Sequence, residues 1–298
     1  MCITISKAEL TKTKVYAGIS NIDKKEVHVL CYSNEVRSKV PNAMILPIPT
    51  KELGKENFID TRQFSEFLND IARQSFIITD GDRDFGDNLL SDRRSRGINV
   101  FESGSYTCIV ADQASDISSV LSSLPENKRP EIKQELLDFF SENYPSDKWK
   151  FLCCCWEGNL SPEPIMIYYV PSEPSLVYLP MLDSHDGTKP KESIVKTDHT
   201  IMFGFHSFDE EKQKNNNINL SHFNLPKVVK TLLPTKSIGK NMPRVKNNGD
   251  LFILSEELKN ISHVDLSKNQ LQSFNVFPNK NYSDMFVIDG KQNENTFR

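Results

Sequence analysis

The residues best suited to chemistry lie in Asp-Ser-His-Asp-Gly, residues 183–187, and in Asp198 and His199 a short way downstream, with His206 beyond them. Asp183 and His185 are two apart, so on an extended chain they point the same way. That is what a polar binding or catalytic pair requires. His199 could return on the next strand to complete the site. The bland alternative is that Asp183 and Asp186 cap a turn closed by Gly187. An Asp-x-His pair alone does not specify a metal. The expectation is therefore a site of Asp183, His185 and His199 with no metal and no cofactor.

Cys2 offers a second chemistry. Removal of Met1 would leave a free α-amino group beside the thiol, and that amine can serve as base for the nucleophile. A Met-Cys start leading into a strand–turn–strand resembles the N-terminal nucleophile hydrolases. The resemblance implies an amidase-type hydrolase with Cys2 as nucleophile. The bile-salt and penicillin acylase branch carries an Arg and an Asp soon after. Here Lys-Val-Tyr-Ala-Gly-Ile-Ser-Asn-Ile-Asp, residues 14–23, supplies Asp23 and no arginine.

The third polar feature is the run at residues 79–97, with Asp80, Asp82 and Asp84 followed by Arg93, Arg94 and Arg96. The three aspartates match the first ligand positions of an EF loop. Phe85 then stands where glycine is needed, and Ser91 where a bidentate Glu is needed. The run reads as a charged surface loop with internal ion pairs, where a partner or substrate could be gripped.

Composition narrows the classes. The 298 residues carry a net charge of −4, and no basic strip interleaved with aromatics is present, so nucleic acid is not an expected partner. No apolar run approaches the roughly 20 residues of a membrane helix. The first residues lack a signal-peptide pattern, which predicts a cytoplasmic protein, with export by a specialised system left open. Of the six cysteines, three are adjacent at 153–155 and no CxxC occurs. Cys31, Cys108, Cys153 and Cys155 read as small buried hydrophobes on strands of a reduced protein.

These residues need a scaffold, and its centre is residues 149–206, where strand-like runs end in the histidine-bearing segment. Residues 2–8, 13–19 and 26–32 predict a β meander. In residues 41–50, Pro47 and Pro49 lack amide donors, so pairing should stop there or lie on an edge. Asp60 opens a helix whose buried face is Phe64, Phe67, Leu68 and Ile71. Helices over 115–124 and 130–143 follow a strand at 104–113. The expected fold is α+β: a mostly antiparallel sheet core covered by two or three helices. Residues 1–208 form this core domain, and the Asn- and Lys-rich 209–298 a partly irregular extension packed on it.

Asn-Ala-Met-Ile-Leu-Pro-Ile-Pro, Gly-Ser-Tyr-Thr-Cys-Ile-Val-Ala-Asp with its following helical pair, and Trp-Lys-Phe-Leu-Cys-Cys-Cys-Trp-Glu-Gly resemble a family of uncharacterised bacterial proteins of unassigned domain type. The resemblance spans residues 1–206 and implies a fold without an activity. The leading functional expectation is an interaction or ligand-binding protein, with an unknown protein or small-molecule partner and a secreted effector as one form. The alternative is a hydrolase using Cys2, or Asp183 with His185 and His199.

Overall fold

The computed structural model describes residues 2–76, 100–126, 129–160, 162–205, 218–220, 223–241, 245–259 and 273–278. β1 (Cys2–Thr4) precedes a long hairpin of β2 (Glu9–Ile22) and β3 (Lys25–Arg37). The hairpin's two-residue turn holds Asp23 and Lys24 at φ 50° and 66°, the left-handed pair whose twist matches that of the strands. β4 (Asn42–Ile48) and β5 (Phe58–Ile59) lead to α1 (Phe67–Phe76). Then come β6 (Val100–Ser103), β7 (Tyr106–Ala111), α2 (Ile117–Ser122) and α3 (Gln134–Asn143). The central block supplies β8 (Lys150–Trp156), β9 (Asn159–Leu160), β10 (Ile165–Tyr169), β11 (Leu176–Leu179), β12 (Asp183–Ser184), β13 (Ile194–Lys196) and β14 (Thr200–Phe205). Beyond it are β15 (Ile218–Asn219), α4 (Lys227–Leu232), β16 (Lys236–Asn241), β17 (Val245–Asn247), β18 (Asp250–Leu254), α5 (Ser255–Lys259) and β19 (Ser273–Val276).

Two sheets form the middle layers. One runs β12-β1-β4-β8-β7-β6; the other runs β15-β16-β14-β2-β3-β10-β5, with β9 also beside β3. A smaller sheet, β11-β18-β19, and a two-stranded ribbon, β13–β17, complete the set. Pairing is antiparallel except for β1 with β12 and β14 with β2, so the fold is α+β with mostly antiparallel sheets.

Alternation along the strands sorts side chains into three cores. Val15, Ala17, Leu30, Tyr32, Met44, Leu152 and Cys154 fill the space between the two large sheets. Their neighbours Ile45, Cys153 and Cys155 face the opposite way, under α2 and α3, with Leu136 and Phe140. Tyr16, Val29 and Cys31 face α1 and α4 through Phe67, Leu68, Ile71 and Val229. The result is a helix–sheet–sheet–helix stack. Each Leu or Phe buried in it contributes about 1.5–3 kcal/mol of transfer free energy.

Several elements differ from the sequence expectation. The N-terminal strands are not one meander, because β1 crosses to the other sheet, where Ile3 pairs with Ile45 and shares its core. The first helix begins as a 3-10 turn at Arg62–Phe64, and α1 proper starts only at Phe67. Asp60 accepts from the Arg62 amide and pairs with its guanidinium, which holds a separate turn ahead of the helix. β4 continues through Pro47 opposite Phe151. In the ladder alternation set by Ile5 N–H donating to Ala43 O, Pro47 turns its nitrogen toward the β1 side, where pairing has already ended at Ile45.

Gly204 lies opposite Gly18 on β2 and Ser237 on β16, and the Tyr16 ring crosses this row. A Cβ at Gly204 would meet the Tyr16 hydroxyl at 1.8 Å. Gly204→Ala therefore forces Tyr16 off its rotamer and is expected to lower the urea-unfolding free energy by about 1–3 kcal/mol. Among the described residues Tyr16 Oη is buried without a hydrogen-bond partner. Tyr16→Phe should then be neutral or slightly stabilising in the same measurement.

Candidate functional site

β12 is only two residues long, and side chains rather than a long ladder hold it. Asp183 N–H donates to Asn248 Oδ1 at 2.7 Å, and Asn248 Nδ2 donates back to Asp183 O at 2.9 Å. Upstream, Asp250 Oδ1 accepts the amides of Met181 and Leu182 at 2.8 and 3.0 Å, while Oδ2 accepts the Tyr144 hydroxyl at 2.9 Å. Lys246 Nζ donates to Met181 O at 2.7 Å. On its other side β12 runs parallel to β1, with Cys2 in register with Asp183 and Ile3 with Ser184.

This framework places the chemistry. The Asp183 side chain is 8% exposed, and His185 Nε2, on a ring that reaches solvent, lies 3.3 Å from Asp183 Oδ1. His199, just before β14, is buried. Burial alone would push the Asp183 carboxyl up. The amino-terminal charge, the His185 ring, His199 and Lys246 outweigh it and hold the carboxyl below the usual carboxylate range, as an anion. Burial pulls His199 down to about 2, and the positive charges of the amino terminus, Lys246 and His185 add to it while Asp183 opposes, so the imidazole is neutral. Burial also lowers Lys246, against the attraction of Asp183 and Asp250. Asp250 is raised by burial despite the amides, hydroxyl and Lys246 that favour its charge.

Asp186 has a different role from Asp183. Its Oδ1 accepts the Thr188 amide and hydroxyl at 3.0 and 2.6 Å, the Asx-type closure of a turn. Gly187 completes it at φ 74°, and a Cβ there would lie 2.1 Å from Ile5 O, so the turn packs its bare backbone on the N-terminal segment.

Asp183, His185 and His199 thus come together, and the register of β1 sets the Cys2 backbone beside Asp183. Asp80, Asp82, Asp84, Arg93, Arg94, Arg96 and His206 lie outside the described residues. Among the described residues no group of three or more His, Cys, Asp or Glu is placed to hold a metal ion. No described helix is long and apolar enough to cross a membrane. Cys31, Cys108, Cys153, Cys154 and Cys155 are buried free thiols; burial raises Cys153 to about 12 and pushes Cys31 and Cys154 up as well.

Sequence reading missed Lys246, Asn248 and Asp250. Their signal was Val-Lys-Asn-Asn-Gly-Asp, residues 245–250, an Asn-Gly turn marker just ahead of the apolar run Leu-Phe-Ile-Leu. An ionised, shielded carboxylate beside one solvent-reaching and one neutral imidazole can bind a donor or cationic group, or orient a proton acceptor.

No protein-family model matches the chain, and no curated protein matches it. Among solved structures it is similar to baculovirus P35, at 13% identity and a TM-score of 0.41, covering 93% of this chain and 89% of that one. It is also similar to a mutated baculovirus P35 after caspase cleavage, at 12% identity and a TM-score of 0.39, covering 89% and 88%.

The depressed His199 gives a pH dependence. An unfolded chain protonates this imidazole as pH falls through about 6.5, while the folded chain keeps it neutral to about 2. The unfolded state therefore binds more protons across that window, and stability present above it is lost as pH falls, by up to about 1.4 kcal/mol per pH unit. Urea titrations from pH 7.5 to 4.5 should show this slope, and His199→Gln should flatten it. An unchanged slope in the variant would place the titration elsewhere.

Proposed function

We propose that this chain acts by binding a partner protein, and that the outer face of the β13–β17 ribbon is part of the contact. One observation carries the reading: Ile194 and Val245, 71% and 52% exposed, stand on the same face of a ribbon that lies outside both large sheets. Lys196, opposite Val245, extends that face. The inner face is Lys246, fixed to Met181 O, so the apolar pair is presented on a held element. Exposed apolar side chains on a rigid support are a usual feature of protein contacts.

Photocrosslinking tests it. A benzophenone amino acid at Ile194 should give discrete adducts in extract of the source cells, and the same group at exposed Ser141 on α3 should not. Val245→Glu should weaken binding of the partner so identified at least about tenfold, with the unfolding midpoint unchanged. Equal adducts at both positions, or full binding by Val245→Glu, would remove the ribbon from the contact.

A second reading has its own observation. The parallel register of Cys2 with Asp183, and the 3.3 Å approach of His185, favour a cysteine hydrolase. It requires a thiol more reactive than a free one. Iodoacetamide on the native protein should then label Cys2 faster than N-acetylcysteine, with Cys31, Cys108, Cys153, Cys154 and Cys155 labelled only after unfolding. Peptide mapping by mass spectrometry checks both halves. A Cys2 rate at or below that of N-acetylcysteine rejects the nucleophile.

A further inference from the structure

The β7–β8 ladder sets Cys108 opposite Cys154. Among the described residues this is the one place where two cysteines stand across a strand pair. Cys31 stands opposite Tyr16 and Met166, while Cys153 and Cys155 stand opposite Ile109 and Thr107 on β7 and Ile45 and Ala43 on β4. Cys108 and Cys154 also share a side of the sheet. Both belong to the core between the two large sheets, whereas Cys153 and Cys155 turn toward α2 and α3.

The hydrogen-bond pattern says which kind of pair this is. Ile5 N–H donates to Ala43 O, so Ala43 bonds toward β1, and alternate residues of β4 bond to opposite neighbours. Met44 therefore bonds toward β8, and Cys154, its partner there, bonds back toward β4. That leaves Cys108 and Cys154 as a non-hydrogen-bonded pair, the closer of the two arrangements. Such a pair sets its Cα atoms about 4.5 Å apart, within the roughly 4.4–6.8 Å that a disulfide spans. The thiols are neighbours as well: burial pushes Cys154 up, and the Cys108 thiol adds to this through a hydrogen bond and its charge.

We propose that Cys108 and Cys154 are a redox site, joined as a cross-strand disulfide when the chain folds in the presence of a small-molecule disulfide and left as thiols when it folds in a reducing medium. With glutathione disulfide, one cysteine thiolate attacks a glutathione sulfur, releases one glutathione thiolate and becomes a mixed disulfide. The other cysteine thiolate attacks the protein sulfur of that adduct, which forms the Cys108–Cys154 bond and releases the second glutathione thiolate. The two cysteines give up two electrons and two protons, and glutathione disulfide takes them up as two thiols. Both residues are fully buried, so in the folded chain neither attack has access, and the state set at folding is retained. The bond closes a loop that carries α2 and α3, and it restricts the unfolded chain. This inference is independent of the binding role.

The test refolds the full chain from urea either in a glutathione and glutathione disulfide mixture or in dithiothreitol, with peptide mapping by mass spectrometry without reduction. A peptide joining Cys108 to Cys154 is expected from the first and not from the second. Glutathione disulfide added to desalted chain already folded in dithiothreitol should form the bond at least about tenfold more slowly than refolding does. The joined form should melt several degrees above the reduced form, a difference lost in Cys108→Ala and in Cys154→Ala.

No joined peptide after oxidative refolding, or one dominated by Cys153 or Cys155, overturns the pairing. Equally fast bond formation in the folded chain overturns retention of the folding state. Equal melting of the two forms of the unmodified chain overturns the loop constraint. Should an alanine variant not fold, the peptide map of the unmodified chain decides.

Discussion

The Asp250 carboxylate is the junction on which this part of the fold depends. It is fully buried, and its two oxygens take three donors: the amides of Met181 and Leu182 and the hydroxyl of Tyr144. A buried amide left unpaired costs about 1–3 kcal/mol, so this one side chain removes a penalty comparable to much of a domain's net stability. It also joins elements far apart in sequence. Asp250 begins β18, Tyr144 caps α3, and Met181–Leu182 lead into the edge strand of the six-stranded sheet. The adjoining Lys246 and Asn248 act likewise on Met181 O and on both backbone groups of Asp183.

How much of this could be read from sequence follows from the range of the interactions concerned. The strands of residues 149–206 were legible because alternation and turn residues are local signals. That one block feeds both large sheets, the small sheet and the ribbon was not legible, because sheet membership is decided by partners elsewhere in the chain. β1 illustrates this: its residues read as the first arm of a meander, yet Ile3 and Ile5 bury against the helical side of the other sheet. For the site, the spacing of Asp183 and His185 was visible, and their 3.3 Å approach follows from it. The residues holding them were not visible, because 245–250 carry no catalytic pattern and sit in a stretch whose composition reads as irregular.

Electrostatics explain why the site is built from residues with two duties. Asp183 is a nearly buried anion, and its charge is sustained by surrounding cationic groups, with Lys246 among them. Lys246 in turn is a buried cation whose charge Asp183 and Asp250 support. Burial works against the charge of Lys246 while Asp183 and Asp250 favour it, so these side chains are electrostatically linked. Structure alone thus accounts for Asp183, Lys246 and Asp250. It does not account for Ile194 and Val245, which stay largely exposed on the strands that Lys246 and Asn248 hold down. An apolar, lysine-flanked edge kept in solvent loses hydrophobic burial it could otherwise have had. Lys246 and Asn248 hold the ribbon through Met181 O, Asp183 O and Lys191 O, so its outer face is a supported surface and not a loose one.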